Sequence, residues 1–382
     1  MENTTSTRFL EQAGDIASYY GFRPLREIDP ALFKTHVGRA PLSFNNAAIM
    51  GAQCISAKQR EPILAYYASS APSHLPSHIP SREAGEFCLQ VSGASASISE
   101  VIVLTAIVAI LDEFGVPVLR VRVNAFGDRD SRERFGRELT AFVRRRFAHE
   151  DAEINEEERL LILAHPASIY RSSLTVVRDM LAEAPRPVHF LSERSRLHFK
   201  GLLEELEQVG LPYELDDALW GDERELRITF SLDLPDGSEM VFASSGGRYD
   251  DYVARLAGRR ENATVHASIY FRKKGIARSA YGSAACTRPK LYFIQLGNRA
   301  KLQGLAVVDV LRRAHIPVAQ SFDASQLTPQ LSAAQNCGVS YALIMGQREA
   351  LDGTVIVRSL RNNSQNIITL GLLPKYLRTL RV

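Results

Sequence analysis

The chain has 382 residues, of which 45% are hydrophobic and 23% charged, with a net charge of +3. That length allows two or three domains with substantial apolar cores. It holds no run of 18 apolar residues and no basic-then-apolar leader, so a soluble, unsecreted, cytoplasmic protein is expected. Cys54, Cys88, Cys286 and Cys337 are scattered without Cys-x-x-Cys spacing, as thiols in a reducing compartment would be.

In chain order, Arg8 to Tyr20 (RFLEQAGDIASYY) reads as a helix, and Gly21 to Leu25 turns it toward a strand. Ile63 to Ala68 reads as a strand, followed by a polar loop from Ser69 to Ser81. That loop repeats Ser-His-x-Pro, placing His74 and His78 four apart. Its prolines forbid the helix that would bring both rings to one face, so no metal site is expected. Glu86 to Gly93 is a strand, and Val101 to Glu113 (VIVLTAIVAILDE) is an apolar core helix. A strand at Leu119 to Val123 precedes helices at Arg132 to Phe147 and Glu156 to Leu163, and the region 171–210 is expected to be helical.

Arg227 to Leu234 and Glu239 to Ser244 are β-branched and apolar, with Pro235-Asp236-Gly237-Ser238 between them, a hairpin signal. The second strand then delivers Ser245-Gly246-Gly247-Arg248-Tyr249-Asp250. Glycines there allow positive φ and close approach of a ligand to the backbone. Arg248 would meet a carboxylate or phosphate, with Asp250 to orient it. Taken alone, the same string also suits a surface turn with a solvated ion pair.

From Lys290 onward strands and helices alternate. Strands are expected at Leu291 to Leu296, Pro317 to Phe322 and Val339 to Met345, with helices at Ala300 to Arg313 and Leu327 to Asn336. A hairpin of Thr354 to Arg358 with Asn366 to Leu370 and a helix at Pro374 to Leu380 complete a sheet flanked by helices. Gly297-Asn298-Arg299 is too short for a phosphate loop. From Lys290 to Val382 eleven Lys/Arg face four Asp/Glu, and from Ala254 to Pro289 eight face one, so the segment before Ala254 is acidic. A basic C-terminal third suits a polyanion, or equally an ordinary solvated surface.

GGRYD, the hairpin before it and the helical Tyr252 to Leu256 after it resemble the second histidine motif of the histidyl-tRNA synthetases. The likeness extends to Leu119–Phe135 (LRVRVNAFGDRDSRERF) and to Ile154–Pro166 (INEEERLLILAHP), where His165 replaces an asparagine. It continues through Phe190–Asp216 and Lys290–Leu377. The opening helix, glycine and strand also resemble the start of a class II catalytic domain. The resemblance implies an α+β class II synthetase-like catalytic domain over residues 1–285, an antiparallel sheet with helices. An α/β anticodon-binding-like domain follows over 286–382.

The family's activity implies attack of a carboxylate on ATP, with fixed cations meeting the charge on the phosphate. Several of those cations are missing here. After the strand at Tyr66-Tyr67 the chain reads Ala68-Ser69-Ser70-Ala71-Pro72, without the family's arginine, and Ile49–Lys58 does not match its Leu-Arg-Pro-Glu-Gly-Thr segment. Leu219 to Leu226 puts Gly221 at the catalytic arginine of the first histidine motif and lacks its tyrosines. Val265 to Arg272 keeps only Arg272 of the third motif. Glu86 and Gln90 stand as an exchanged amino-group pair. The ligand pocket implied is Glu86, Gln90, Gly246, Gly247, Arg248, Tyr249 and Asp250.

The leading reading is a paralogue with a decayed active site that forms a homodimer through the catalytic-like domain. It binds tRNA or another structured RNA with Arg358, Arg361 and Lys375 at phosphates, and requires no cofactor. The alternatives are an active, divergent histidine–tRNA ligase using ATP and magnesium, with Arg224 or Arg227 as substitute cations, or a regulatory subunit like that of ATP phosphoribosyltransferase.

Overall fold

A computed structural model describes residues 2–37, 42–57, 62–72, 75, 79–147, 154–172, 174–221, 224, 226–235, 241–259, 262–273, 289–321 and 326–380. The Ser/His/Pro tandem with His74 and His78, the hairpin turn at 236–240, Cys286 and the expected boundary at 285/286 lie outside the described residues. The first unit is an eight-stranded sheet of β1 (Arg23–Pro24), β2 (Ile63–Ser69), β3 (Ala84–Ser92), β4 (Arg120–Ala125), β5 (Tyr213–Leu215), β6 (Ile228–Asp233), β7 (Val241–Arg248) and β8 (Thr264–Arg272). Their order is β1-β2-β3-β8-β7-β6-β4-β5. Only the outer pairs β1/β2 and β4/β5 run parallel. The centre is antiparallel, with β8 between β3 and β7.

Period-two alternation gives this sheet two different faces. Phe87, Leu89 and Val91 of β3 and Val265, Ala267, Ile269 and Phe271 of β8 point into the main core. The Ile98–Glu113 helix, buried along almost its whole length, packs there beside the Glu2–Tyr19 helix. The opposite face of the same strands carries Glu86, Cys88, Gln90, His266 and Ser268, all buried. The Phe44–Ala57 helix lies over it. That helix was not expected from the sequence.

The helices at Arg129–Arg146 and Glu156–Ala164 start where Asp128 and Asn155 accept from backbone N–H groups three residues on. They close a separate apolar cluster around Phe135, Leu139, Val143, Ile162 and Val177. The expected helical run 171–210 is broken. Short turns at Leu181–Glu183 and Pro187–Phe190 precede a helix at Glu193–Gln208, because Pro185 and Pro187 restrict the residues before them.

The second unit is a five-stranded sheet of β9 (Leu291–Gln295), β10 (Val318–Gln320), β11 (Tyr341–Met345), β12 (Thr354–Ser359) and β13 (Gln365–Thr369), in the order β10-β9-β11-β12-β13. The first three run parallel, and β12 and β13 form the expected antiparallel hairpin. Gly338 at φ 67° ends the Leu327–Asn336 helix as anticipated.

The Asn298–Arg313 helix joins the two units through one continuous core. Arg312, only 4% exposed, reaches Glu113 at 2.7 Å, Asp309 at 2.9 Å and Asp112 at 3.8 Å. Asp112 and Glu113 end a helix, where negative charge is disfavoured by the helix dipole, so Arg312 supplies the cation that this end lacks. Asn298 donates to Glu205, and Gln320 to the carbonyl of Tyr19, across the same joint. Arg312→Ala is expected to lower stability by about 1.5–3 kcal/mol, the range for hydrogen bonds to charged groups. A urea midpoint equal to that of the parent chain would show that the joint rests on apolar contacts alone.

Candidate functional site

Arg248 is held by protein groups and, with Asp250 and His198, lines a small cavity of about 60 Å³. Its guanidinium is 2% exposed and grips Glu100 with both arms of the fork, Nε to Oε1 and Nη2 to Oε2, each at 2.7 Å. Nη1 reaches Ala94 O and Asp250, each at 3.3 Å, and Nη2 also reaches Ala96 O at 3.2 Å. These contacts engage all five guanidinium hydrogens; the carboxylates that Arg248 meets are those of Glu100 and Asp250. Glu100 sits at the start of the apolar Ile98–Glu113 helix and also accepts from His198 Nε2 at 2.8 Å. Burial pushes its carboxyl up, but the charge of Arg248 and the hydrogen bonds from Arg248 and His198 outweigh it and hold the group at about 2. Asp250 is likewise internal, accepting from Thr264 N at 2.9 Å and pairing with Arg227 at 3.4 Å.

The two glycines are also explained by the sheet. Gly246 and Gly247 lie inside β7, not beyond its end, and neither has a positive φ. A Cβ on Gly246 would stand 2.3 Å from His266 O, and one on Gly247 2.2 Å from Ile228 O. What approaches closely is the neighbouring strand, not a ligand. Tyr249 packs its ring 4.8 Å from Phe44, and the Arg224 guanidinium lies over both rings, at 4.0 Å from Phe44 and 4.6 Å from Tyr249.

Beneath them is the polar face of the sheet. Glu86 accepts from Ser268 Oγ at 2.6 Å, Tyr67 OH and His266 Nε2 share a hydrogen bond of 3.0 Å, and Gln90 Nε2 donates to Ala47 O and Ser92 Oγ. The ligand atoms of Glu86, Cys88 and His266 lie within 4.8 Å of one another, a donor set of the kind that holds a transition metal. Burial pushes the Cys88 thiol and the Tyr67 hydroxyl well up, so both stay protonated. The pocket expected at Glu86 and Gln90 is therefore brought together but covered, and a ligand would have to displace Phe44, Tyr249 or Arg224. Arg272, at the end of β8, pairs with Glu83 at 3.2 Å. Among the described residues, Arg224 and Arg272 of this region are engaged with protein rings and a carboxylate.

Glu100, His198 and Phe44 carry this arrangement and were not singled out by sequence reasoning. One signal was available for Glu100: an acid in a helix too apolar to have a wet side needs a buried cation. A wider, half-open cavity of about 930 Å³ lies between the Arg129–Arg146 and Glu156–Ala164 helices, the Pro166–Arg171 turn and the segment holding Trp220 and Leu226. In the second unit, Arg358 ends β12 and donates to Asn363 Oδ1 at 2.9 Å, while Arg361 and Lys375 are exposed on the hairpin turn and the last helix. Among the described residues these three form no ion pair.

Residues 290–380 match the family model described as an anticodon binding domain. The chain is 28% identical over 251 residues to the histidine–tRNA ligase of Aromatoleum aromaticum, covering 65% of this chain and 56% of that protein. It is 28% identical over 289 residues to that of Thermosynechococcus vestitus, covering 75% and 66%. A solved structure of apo S. aureus histidyl-tRNA synthetase aligns at 19% identity and a TM-score of 0.44, covering 87% of this chain and 81% of that one. The matches thus span between a little over half and two thirds of these two curated relatives. No helix among the described residues is long and apolar enough to cross a membrane.

Arg248→Met leaves Glu100 charged and alone in the core, and is expected to cost about 3–5 kcal/mol in urea unfolding. Adding Glu100→Leu should recover most of that loss. Because Glu100 is held at about 2 against an ordinary 4.5, its stabilisation is full above pH 4.5 and fades as pH falls toward 2. Glu100→Gln should accordingly flatten the acid limb of a stability–pH curve. An unchanged limb would show that other carboxylates set acid sensitivity.

Proposed function

For a chain that belongs to the histidyl-tRNA synthetase family, we propose a binding function in place of histidine activation: a homodimer that engages tRNA or another structured RNA through its C-terminal domain. The observation that carries the reading is the contrast between the two units. Residues 290–380 match an anticodon binding domain and present Arg358, Arg361 and Lys375 outside any ion pair among the described residues. The first unit, by contrast, has its expected ligand residues buried and internally bonded.

The chemistry supports the same reading. Adenylate formation needs fixed cations around the α-phosphate, and loss of one preorganised donor typically lowers the rate by about a hundred- to a thousandfold. Here Gly221 stands at one such position, Arg248 is spent on Glu100, and Arg272 is paired with Glu83. Backbone-directed RNA contacts need only surface cations, and they weaken with salt as counterions are released. ATP and magnesium are not required for this function.

Two measurements test it. ATP–pyrophosphate exchange with histidine, and with the other amino acids, is expected to stay at background. A mixed tRNA pool should shift in mobility at low salt, and Arg358→Ala, Arg361→Ala and Lys375→Ala should each lower the log–log salt slope by about 0.7–0.9. Exchange with histidine would instead make the chain a working ligase. No shift at low salt would end the RNA reading, and histidine binding without exchange or RNA binding would favour a regulatory subunit.

A further inference from the structure

The cavity of about 930 Å³ beside the helical cluster is large for an unfilled space in a packed protein and falls within the size of small-molecule sites. Its walls are mainly apolar: Phe126, Phe135, Leu139 and Ile162 are buried there, and Trp220 closes one side, its ring edge-on to Phe126 and stacked on Tyr170. Leu161, 52% exposed, stands at the mouth.

The polar groups at this opening have one dominant sign. Among the described residues Arg132, Arg171, Arg224 and His165 line it, against one carboxylate, that of Glu158, which accepts from Ser172. Arg132 is committed to Asp251 and to the carbonyl of Gly127, so it braces the wall. Ser168 Oγ is buried at the lining and has no hydrogen-bond partner among the described residues, which leaves a donor for an acceptor inside the cavity.

Gly136 adds an independent observation. It lies in the middle of the Arg129–Arg146 helix, lines the cavity, and a Cβ built on it meets nothing within 4 Å. Glycine is unfavourable inside a helix relative to almost any other residue, so it costs stability at a place where a side chain would begin to fill the space.

We propose that this cavity is a binding site for an organic anion with an apolar, ring-sized body. The body lies against Phe126, Phe135 and Trp220, and the carboxylate, sulfonate or phosphate faces Arg171 and the Ser168 hydroxyl. The site is distinct from the covered polar face of the sheet, sharing none of Glu86, Cys88, Gln90 or His266. It goes beyond the RNA-binding reading and does not rest on it.

Trp220 is the only tryptophan of the chain, so energy transfer from it has a single donor, at the wall of this cavity, and the two variants below assign the signal to the cavity. The probe is 1-anilinonaphthalene-8-sulfonate, titrated against the full-length protein. Saturable one-to-one binding with quenching of Trp220 is expected, at least tenfold tighter than for the uncharged N-phenyl-1-naphthylamine. Gly136→Leu should weaken the sulfonate at least tenfold while leaving Tm equal or higher. Arg171→Glu, at an exposed position where folding is not at stake, should also weaken it at least tenfold without changing the affinity for the neutral probe. Equal affinity of the two probes, or full sulfonate binding in both variants, would overturn the proposal.

Discussion

A bidentate ion pair sealed inside the protein, Arg248 on Glu100, constrains the whole first unit. A buried guanidinium and a buried carboxylate are tolerable only together and only with their remaining hydrogen-bonding capacity met. Here Ala94 O, Ala96 O, Asp250 and His198 complete the set. The pair therefore ties β7, the apolar Ile98–Glu113 helix and the Glu193–Gln208 helix into one geometry. Asp250 passes the constraint on to β8 through Thr264 N and to β6 through Arg227.

That constraint decides what the two faces of the sheet can do. One face packs against the core helix and is apolar. The other keeps Glu86, Cys88, Gln90, His266 and Tyr67, an array of groups able to bind ligands, yet these bond to one another and to Ser268 beneath Phe44 and Tyr249. Polar groups buried in this way strengthen one another because the surroundings are dry, and for the same reason each must be satisfied. Gln90 is the exception: its Nε2 is bonded, but its Oε1 is buried with no hydrogen-bond partner among the described residues. A cavity of this unit lies at the helical cluster, where aromatic walls and arginines meet beside Trp220.

The joint between the units follows the same rule of charge compensation with less burial. Arg312 and Arg313 meet Asp112, Glu113 and Asp309, carboxylates that are partly open to solvent. So part of the basic character of the C-terminal third serves assembly of the chain itself. Arg358, Arg361 and Lys375 remain outside that network, the first two on a hairpin whose edge strand β13 is almost wholly exposed and the third on the last helix.

The sequence by itself determined most of the strands and helices of both units, the β12/β13 hairpin, the glycine that ends the Leu327–Asn336 helix and the likeness to the synthetases, but not the Phe44–Ala57 helix or the break within 171–210. What it determined depends on neighbours within about ten residues or on motifs in series. The role of GGRYD was not legible in the same way. Arg248 and Glu100 are 148 residues apart, and nothing local distinguishes an arginine aimed at a ligand from one aimed at a helix across the sheet. The same holds for Gly246 and Gly247, whose space is taken by His266 O and Ile228 O on other strands. The cavity under Trp220 also needs four separate segments to exist. Only the tertiary structure decided these, because burial and pairing are properties of surfaces brought together from distant parts of the chain.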